Sequence, residues 1–345
     1  MSQLLSEIEE QPKTLARLLE LGRSAAMEAA RRIRAFQPSW VVIAARGTSD
    51  NAARYAQYLF GAHNRLGVGL AAPSLCTLYD APPDMRRALT IGISQSGQSP
   101  DIVSWVEEAR RQGGATLAIT NDPSSPLALS ADSCIPLSVG EEKAVAATKT
   151  YTGELLALGM LSAALSGKQS NWEALETVPG AVRTAISKNQ QIESLAQEFA
   201  GSSQFLVLGR GFNYCTAFEV ALKIKETSYI VAEPYSVADL LHGPVAMVDE
   251  GFPCLVIAPS GQALAGASEL VELLRQRKAH VVVLSDDTEL CRRGQASLKL
   301  PRGVAEWASP IVSVVPGQQF AHALAVAKGL DPDTPRGLSK VTRTR

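Results

Sequence analysis

The chain repeats itself, and that repetition limits its fold more than any other feature. Val41-Val-Ile-Ala-Ala-Arg-Gly47 is matched by Phe205-Leu-Val-Leu-Gly-Arg-Gly211, with closing glycines 164 positions apart (211 − 47). Ile93-Ser-Gln-Ser-Gly97-Gln98 is matched by Ile257-Ala-Pro-Ser-Gly261-Gln262 at the same offset (261 − 97). Ile119-Thr-Asn-Asp122 and Val283-Leu-Ser-Asp286 repeat it again (286 − 122). Three ungapped matches define a duplicated unit, roughly 39–122 and 203–286. The 345 residues therefore hold two copies of one architecture, a length that suits two ordinary domains.

Each copy reads as strand, helix, strand, helix, strand. Val41–Ala45 and Leu89–Ser94 are short apolar runs ending in Gly/Ser turns, the pattern of strands buried on both faces. Ile102, Val103, Val106 and Ala109 recur at helical spacing with charges opposite, and Gly113-Gly114 ends that helix. Alternating strands and helices predict α/β units, three-layer and flavodoxin-like, with parallel sheets flanked by helices. Ligands bind beyond the C-terminal ends of such strands, which directs attention to the loops after Ala45, Ser94, Gly209 and Ala258. The expected organisation is an N-terminal helical segment at 1–38 punctuated by Pro12 and Pro38, a first domain at 39–190, a second at 191–328, and an irregular tail at 329–345 containing Pro332, Pro335 and Gly337. Residues 151–200 are expected to be mostly helical.

Thirty-three basic and 34 acidic side chains leave a net charge of −1, so nothing draws the chain to nucleic acid. The N-terminus, Met1-Ser-Gln-Leu-Leu-Ser-Glu-Ile-Glu-Glu, lacks a signal peptide's basic start and apolar core. The apolar stretch around Leu155–Leu165 is too short for the roughly 20 residues that span a bilayer. Cys76, Cys134, Cys215, Cys254 and Cys291 form neither a metal-ligand pattern nor a disulfide framework, and are expected as buried thiols. A cytoplasmic protein that has no membrane partner is expected.

Ser94-Gln95-Ser96-Gly97-Gln98-Ser99 joins a strand end to a helix beginning near Pro100-Asp101. Hydroxyls, a glycine and helix N-terminal N–H groups suit a phosphate dianion, although Ser99 before Pro100 also suits a plain N-cap. Two observations favour phosphate. Gly47-Thr48-Ser49 brings further hydroxyls to the same sheet edge, and the second copy replaces Ser94, Gln95 and Ser99 by Ala258, Pro259 and Ala263. One copy keeps the loop's hydrogen-bonding groups and the other has lost most of them.

In the second copy, Glu219, Lys223 and Glu226 share one helix face by their spacings of 4 and 3. A solvated ion-pair stripe has the same spacing, but Phe218, Ala221 and Leu222 surround the three, and His242-Gly-Pro follows soon after. Carboxylate, lysine and histidine together are the parts of proton transfer beside a carbonyl. His63, His280 and His322 fall in helix or strand patterns and are expected to be structural.

These motifs carry a resemblance. Glu7-Ile-Glu-Glu-Gln-Pro12, Gly47-Thr-Ser49, Ser94-Gln-Ser-Gly97, Val145-Ala-Ala-Thr-Lys149, Leu222-Lys-Ile-Lys-Glu226, His242-Gly-Pro244 and Pro335-Arg-Gly-Leu-Ser-Lys340 make the chain similar, almost end to end, to the double sugar isomerase (SIS) domain family. That family includes the isomerase half of glucosamine-6-phosphate synthase and stand-alone deaminases. The resemblance implies that Gly47, Thr48, Ser49, Ser94, Gln95, Ser96 and Ser99 hold the sugar phosphate, with Val145 and Ala147 touching the sugar through backbone groups. It implies that Glu226 shuttles a proton between C1 and C2 and that Lys340 meets the substrate carbonyl or hydroxyl. Glu219 and Lys223 would handle the polar end of the open sugar, and His242 would open the ring, reaching the site from the neighbouring chain of a homodimer. No metal or organic cofactor is implied.

The chain departs from the synthase pattern at Leu241, where lysine precedes the histidine, and at Ala147, commonly serine. Met1 is followed by Ser2 rather than a nucleophilic cysteine, so glutamine is not expected as a nitrogen source. The expected reaction is glucosamine 6-phosphate to fructose 6-phosphate plus ammonia. A fructosamine-phosphate deglycase, a galactosamine-6-phosphate deaminase, plain aldose–ketose isomerisation, an ammonia-dependent synthase and a sugar-phosphate sensor are the alternatives.

Overall fold

The computed structural model describes residues 2–340. Two five-stranded sheets account for the duplication. The first contains β1 (Trp40–Ala44), β2 (Val68–Leu70), β3 (Ala88–Ile93), β4 (Ala115–Thr120) and β5 (Ser133–Pro136), in the order β2-β1-β3-β4-β5. The second contains β6 (Gln204–Gly209), β7 (Val231–Ser236), β8 (Pro253–Ile257), β9 (His280–Ser285) and β10 (Ala296–Lys299), in the order β7-β6-β8-β9-β10. Every pairing is parallel. The two orders are one topology, and β1 and β6 begin 164 residues apart (204 − 40). In this doubly wound arrangement the winding reverses between the first and third strands of each copy, and a crevice opens at their C-terminal ends.

Sequence reading predicts three strands per copy, and the structure has five. The two it misses are edge strands. β2 is three half-buried residues and β5 is four residues closed by Pro136, so neither carries the long apolar run that marks an inner strand. Strand β3, by contrast, is buried throughout. Helix Pro100–Arg111 lays Ile102, Trp105, Val106 and Ala109 into a core with Val42, Ala44, Ala88 and Ala118. In the second copy helix Leu264–Gln276 does the same with Ala267, Leu270, Val271 and Leu274 against Leu206, Cys254, Val256 and Val281.

By contact density the described chain forms two compact units. One holds residues 13–142, 149–176 and 339–340, and the other holds 2–12, 143–148 and 177–338. Residues 149–198 are almost all helical, as expected.

Pro12 does not punctuate the N-terminal segment. It lies inside one continuous helix, Gln3–Phe36. Proline removes the N–H that would bond the carbonyl four residues back, here Ile8. The Gln11 side-chain amide donates to that carbonyl instead, at 3.0 Å, while also donating to Gln318 Oε1 at 2.9 Å. A neighbouring side chain thus restores the hydrogen bond the proline deletes.

The tail beyond Gly329 forms no helix or strand among the described residues, but it is anchored. The Asp333 carboxylate accepts from Gln3 N (2.7 Å) and Leu4 N (2.8 Å) at the start of the long helix. The Arg336 guanidinium lies 3.8 Å over the Tyr229 ring, and the Arg336 backbone N–H donates to Tyr229 Oη. All five cysteines are free thiols. Cys215 and Cys254 are buried as expected, but Cys76, Cys134 and Cys291 are only half-buried. Burial pushes the Cys254 thiol up to about 12 and Cys134 up to about 11. Among the described residues no helix is long and apolar enough to cross a membrane.

Candidate active site

The loop Ser94–Ser99 leaves β3 at the crevice edge and is pinned from the β4 side. The Gln95 carbonyl accepts from Asn121 N (3.1 Å) and Thr120 Oγ1 (3.2 Å). Gly97 turns the chain with φ +63°, and a Cβ there would fall 2.1 Å from Ser125 Oγ. Only glycine fits this turn without displacing Ser125. Ser94 Oγ accepts from Gly97 N at 3.2 Å, lies 3.5 Å from Ser99 Oγ, and Ser96 Oγ accepts from Gln98 N at 3.3 Å.

Ser99 does stand at the N-cap position of helix Pro100–Arg111, but its side chain makes no capping hydrogen bond. Gly47, at the N-cap of helix Thr48–Asn64, has no side chain to cap with. Two helix N-termini, which favour anions, therefore follow β1 and β3 with no N-cap side-chain bond. The half-exposed Arg46 guanidinium donates from Nε to the buried Asp101 carboxylate at 2.8 Å, an ion pair at the start of helix Pro100–Arg111. Thr48, half-buried, opens its helix. Ser49 behaves differently: it is buried, and its hydroxyl donates to Glu154 Oε1 at 2.7 Å. That proton is committed to a carboxylate.

The second copy explains its own loss of hydroxyls. At the positions equivalent to Gln98 and Ser99, the N–H groups of Gln262 and Ala263 are taken by the Glu306 carboxylate at 2.9 and 3.2 Å. A side chain of the protein supplies the negative charge there.

In that second copy Glu219, Lys223 and Glu226 line one face of helix Tyr214–Ser228. The face is not a solvated stripe. Lys223 Nζ lies 3.4 Å from Glu219 Oε1 and 2.5 Å from Glu226 Oε2, with Glu219 and Lys223 buried and the Glu226 side chain 23% exposed. Burying charge is costly unless opposite charges pair closely, and one ammonium here serves two carboxylates. Glu226 is the partly exposed end of the array.

His242 is exposed and follows the short helix Val237–Leu241, its N–H donating to Asp239 O. It borders a cavity of about 310 Å³ with Arg210, Leu241, Gly266 and Glu269. Glu219, Lys223 and Glu226 are not among the residues lining that cavity. Val145 and Ala147 are half-buried in the loop 143–148. The loop's first two N–H groups, of Lys143 and Ala144, donate to the buried Glu7 carboxylate at 2.6 and 3.2 Å. Thr148 O accepts from Gln318. Lys340 Nζ donates to Glu142 Oε2 at 2.6 Å.

The sequence pattern of the SIS domain matches residues 37–164 and 198–328, one match on each sheet. The chain belongs to the SIS domain family. Across 98% of its length the SIS chain is 35% identical to glutamine–fructose-6-phosphate aminotransferase (isomerizing) of Thermococcus kodakarensis, of which it spans 57%. It superposes on a candidate phosphosugar isomerase from Silicibacter pomeroyi with a TM-score of 0.87 and 33% identity, covering 96% of this chain and all of that one. The C-terminal domain of glucosamine-fructose-6-phosphate aminotransferase from Francisella tularensis aligns with a TM-score of 0.88 at 26% identity, over 97% of this chain and 98% of that one.

Sequence reasoning named the hydroxyls and charges of this SIS chain but missed the carboxylates that hold them: Glu7 under the 143–148 loop, Glu142 against Lys340, and Glu154 behind Ser49. Glu7 lies inside a quoted motif and Glu142 lies three positions before another. Their signal was position beside a motif, since a buried glutamate looks like a surface one in sequence.

Proposed function

We propose that this chain binds a hexose 6-phosphate and transfers a proton between C1 and C2, most specifically converting glucosamine 6-phosphate and water to fructose 6-phosphate and ammonia. The observation that carries the reading is Glu226, a carboxylate held by Lys223 yet partly exposed, at the open end of an otherwise buried charged array. In the open-chain amino sugar the C1 aldehyde acidifies the C2 proton. Glu226 removes it to give the enolamine and returns a proton at C1. The resulting 2-imine adds water and loses ammonia. In this reading the loop Ser94–Ser99 binds the phosphate and Glu226 is the general base. Lys340 contacts the carbonyl or hydroxyl oxygen. In the same reading, the enzyme acts as a homodimer in which the partner contributes the histidine corresponding to His242.

The test is ammonia release from glucosamine 6-phosphate by purified protein, with fructose 6-phosphate detected in parallel. Stoichiometric appearance of both products supports the deaminase. Interconversion of aldose and ketose phosphates without ammonia would reduce it to an isomerase, and a thermal shift by sugar phosphates without any turnover would make the chain a sensor.

A further inference from the structure

Lys340 lies on a stretch with no helix or strand of its own, yet its ammonium meets a prepared partner. The Glu142 side chain is wholly buried, whereas that of Lys340 is 23% exposed. The Glu142 carboxylate accepts from Thr150 N at 3.0 Å, from Thr150 Oγ1 at 2.7 Å and from Lys340 Nζ at 2.6 Å. Thr150 is the second residue of helix Lys149–Ser166, so the carboxylate also sits where a helix favours negative charge. A carboxylate removed from water needs hydrogen bonds and a counter-charge. Thr150 supplies two of the bonds from a rigid element, and the tail supplies the charge.

We propose that Glu142 is the positioning residue for Lys340: a carboxylate aimed by the start of helix Lys149–Ser166, which captures the tail ammonium and sets where it meets the substrate. This inference rests on the reading of Lys340 given under Proposed function. An ammonium carries three donors, so pairing with Glu142 is compatible with a further bond to a sugar oxygen. Glu142 itself acts through Lys340 and does not touch the sugar.

The experiment uses the full chain with Glu142→Gln, Lys340→Gln and the double substitution. Trypsin cleavage after Arg336, without substrate, reports release of the tail. Loss of a charge-assisted bond should speed it about tenfold in each single variant, and the double should be no faster than the singles, because the two residues form one interaction. Misplacing the amine should also lower kcat of Glu142→Gln by about ten- to a hundredfold with KM nearly unchanged.

Wild-type cleavage rates, or additive effects in the double variant, would overturn the proposal. An active Glu142→Gln beside an inactive Lys340→Gln would overturn the positioning alone. A fully active Lys340→Gln would sink the role of Lys340 and the positioning with it. If Glu142→Gln fails to fold, the tail decides: Lys340→Arg should keep the protection that Lys340→Gln loses, and equal protection in those two would overturn the pairing.

Discussion

Lys223 Nζ lies between two carboxylates of its own helix, 3.4 Å from Glu219 and 2.5 Å from Glu226. Removing the ammonium leaves Glu219 buried beside a second negative charge. Lys223→Met should therefore destabilise the fold by about 3–5 kcal/mol, read as a shift in urea unfolding. Adding Glu219→Gln should recover part of that loss, because the stranded charge disappears. A loss below about 1 kcal/mol would mean that the array behaves as an exposed ion-pair stripe.

Ser99 separates two readings of one residue. A serine that caps a helix contributes about 1 kcal/mol of stability, but this one makes no capping bond. Ser99→Ala should leave unfolding almost unchanged and weaken binding of inorganic phosphate, measured by calorimetry, about tenfold. That is about 1.4 kcal/mol, close to the lower end of the roughly 1.5–3 kcal/mol that a hydrogen bond to a charged group contributes. The opposite pattern, lost stability with intact binding, would make Ser99 only a cap.

Gln11 should prove structural although it lies far from either sheet's crevice loops in sequence. Gln11→Ala deprives two buried acceptors, Ile8 O and Gln318 Oε1, and should cost about 1–3 kcal/mol in urea unfolding. In a Pro12→Ala background the cost should shrink, since alanine returns the N–H that Ile8 O lacks. An equal cost in both backgrounds would contradict the proposed compensation.

Two histidines make stability depend on pH. Burial holds His63 below the usual imidazole range, with Lys168 acting the same way. Burial also lowers His322, against the opposing pull of Asp333 and Glu193. A depressed folded value means the unfolded chain binds the proton first as pH falls. The stability these groups contribute is present above about pH 6.5, the ordinary imidazole value, and is lost as pH drops through their folded values. The urea midpoint should fall below that point, and His322→Gln should flatten the slope. A midpoint that rises on acidification would reverse the assigned direction.

What was legible in the sequence was local or repeated. Inner strands announced themselves as apolar runs, the duplication as a constant offset, and the Glu219-Lys223-Glu226 face as 4-and-3 spacing. What was illegible depends on distant pairing. Glu142 and Lys340 are 198 positions apart, and nothing around either residue names the other. Spacing alone could not tell a buried charge array from a solvated one, because the burial of Glu219 and Lys223 is a property of the packed helix. Pro12 misled for a related reason: the rule that proline ends a helix is sound, and the exception depends on which side chain precedes it. The edge strands β2 and β5 were missed because short, half-buried segments carry little hydrophobic pattern.

The most direct test of the central claim follows the proton itself. Glucosamine 6-phosphate would be incubated in D₂O with wild-type protein and with Glu226→Gln, and deuterium at C2 of the remaining substrate and at C1 of the product read by NMR. Deuterium is expected at C1 of fructose 6-phosphate with the wild type, and none with Glu226→Gln, while sugar phosphate still raises the melting temperature of the variant. Exchange that continues in Glu226→Gln would contradict Glu226 as the base.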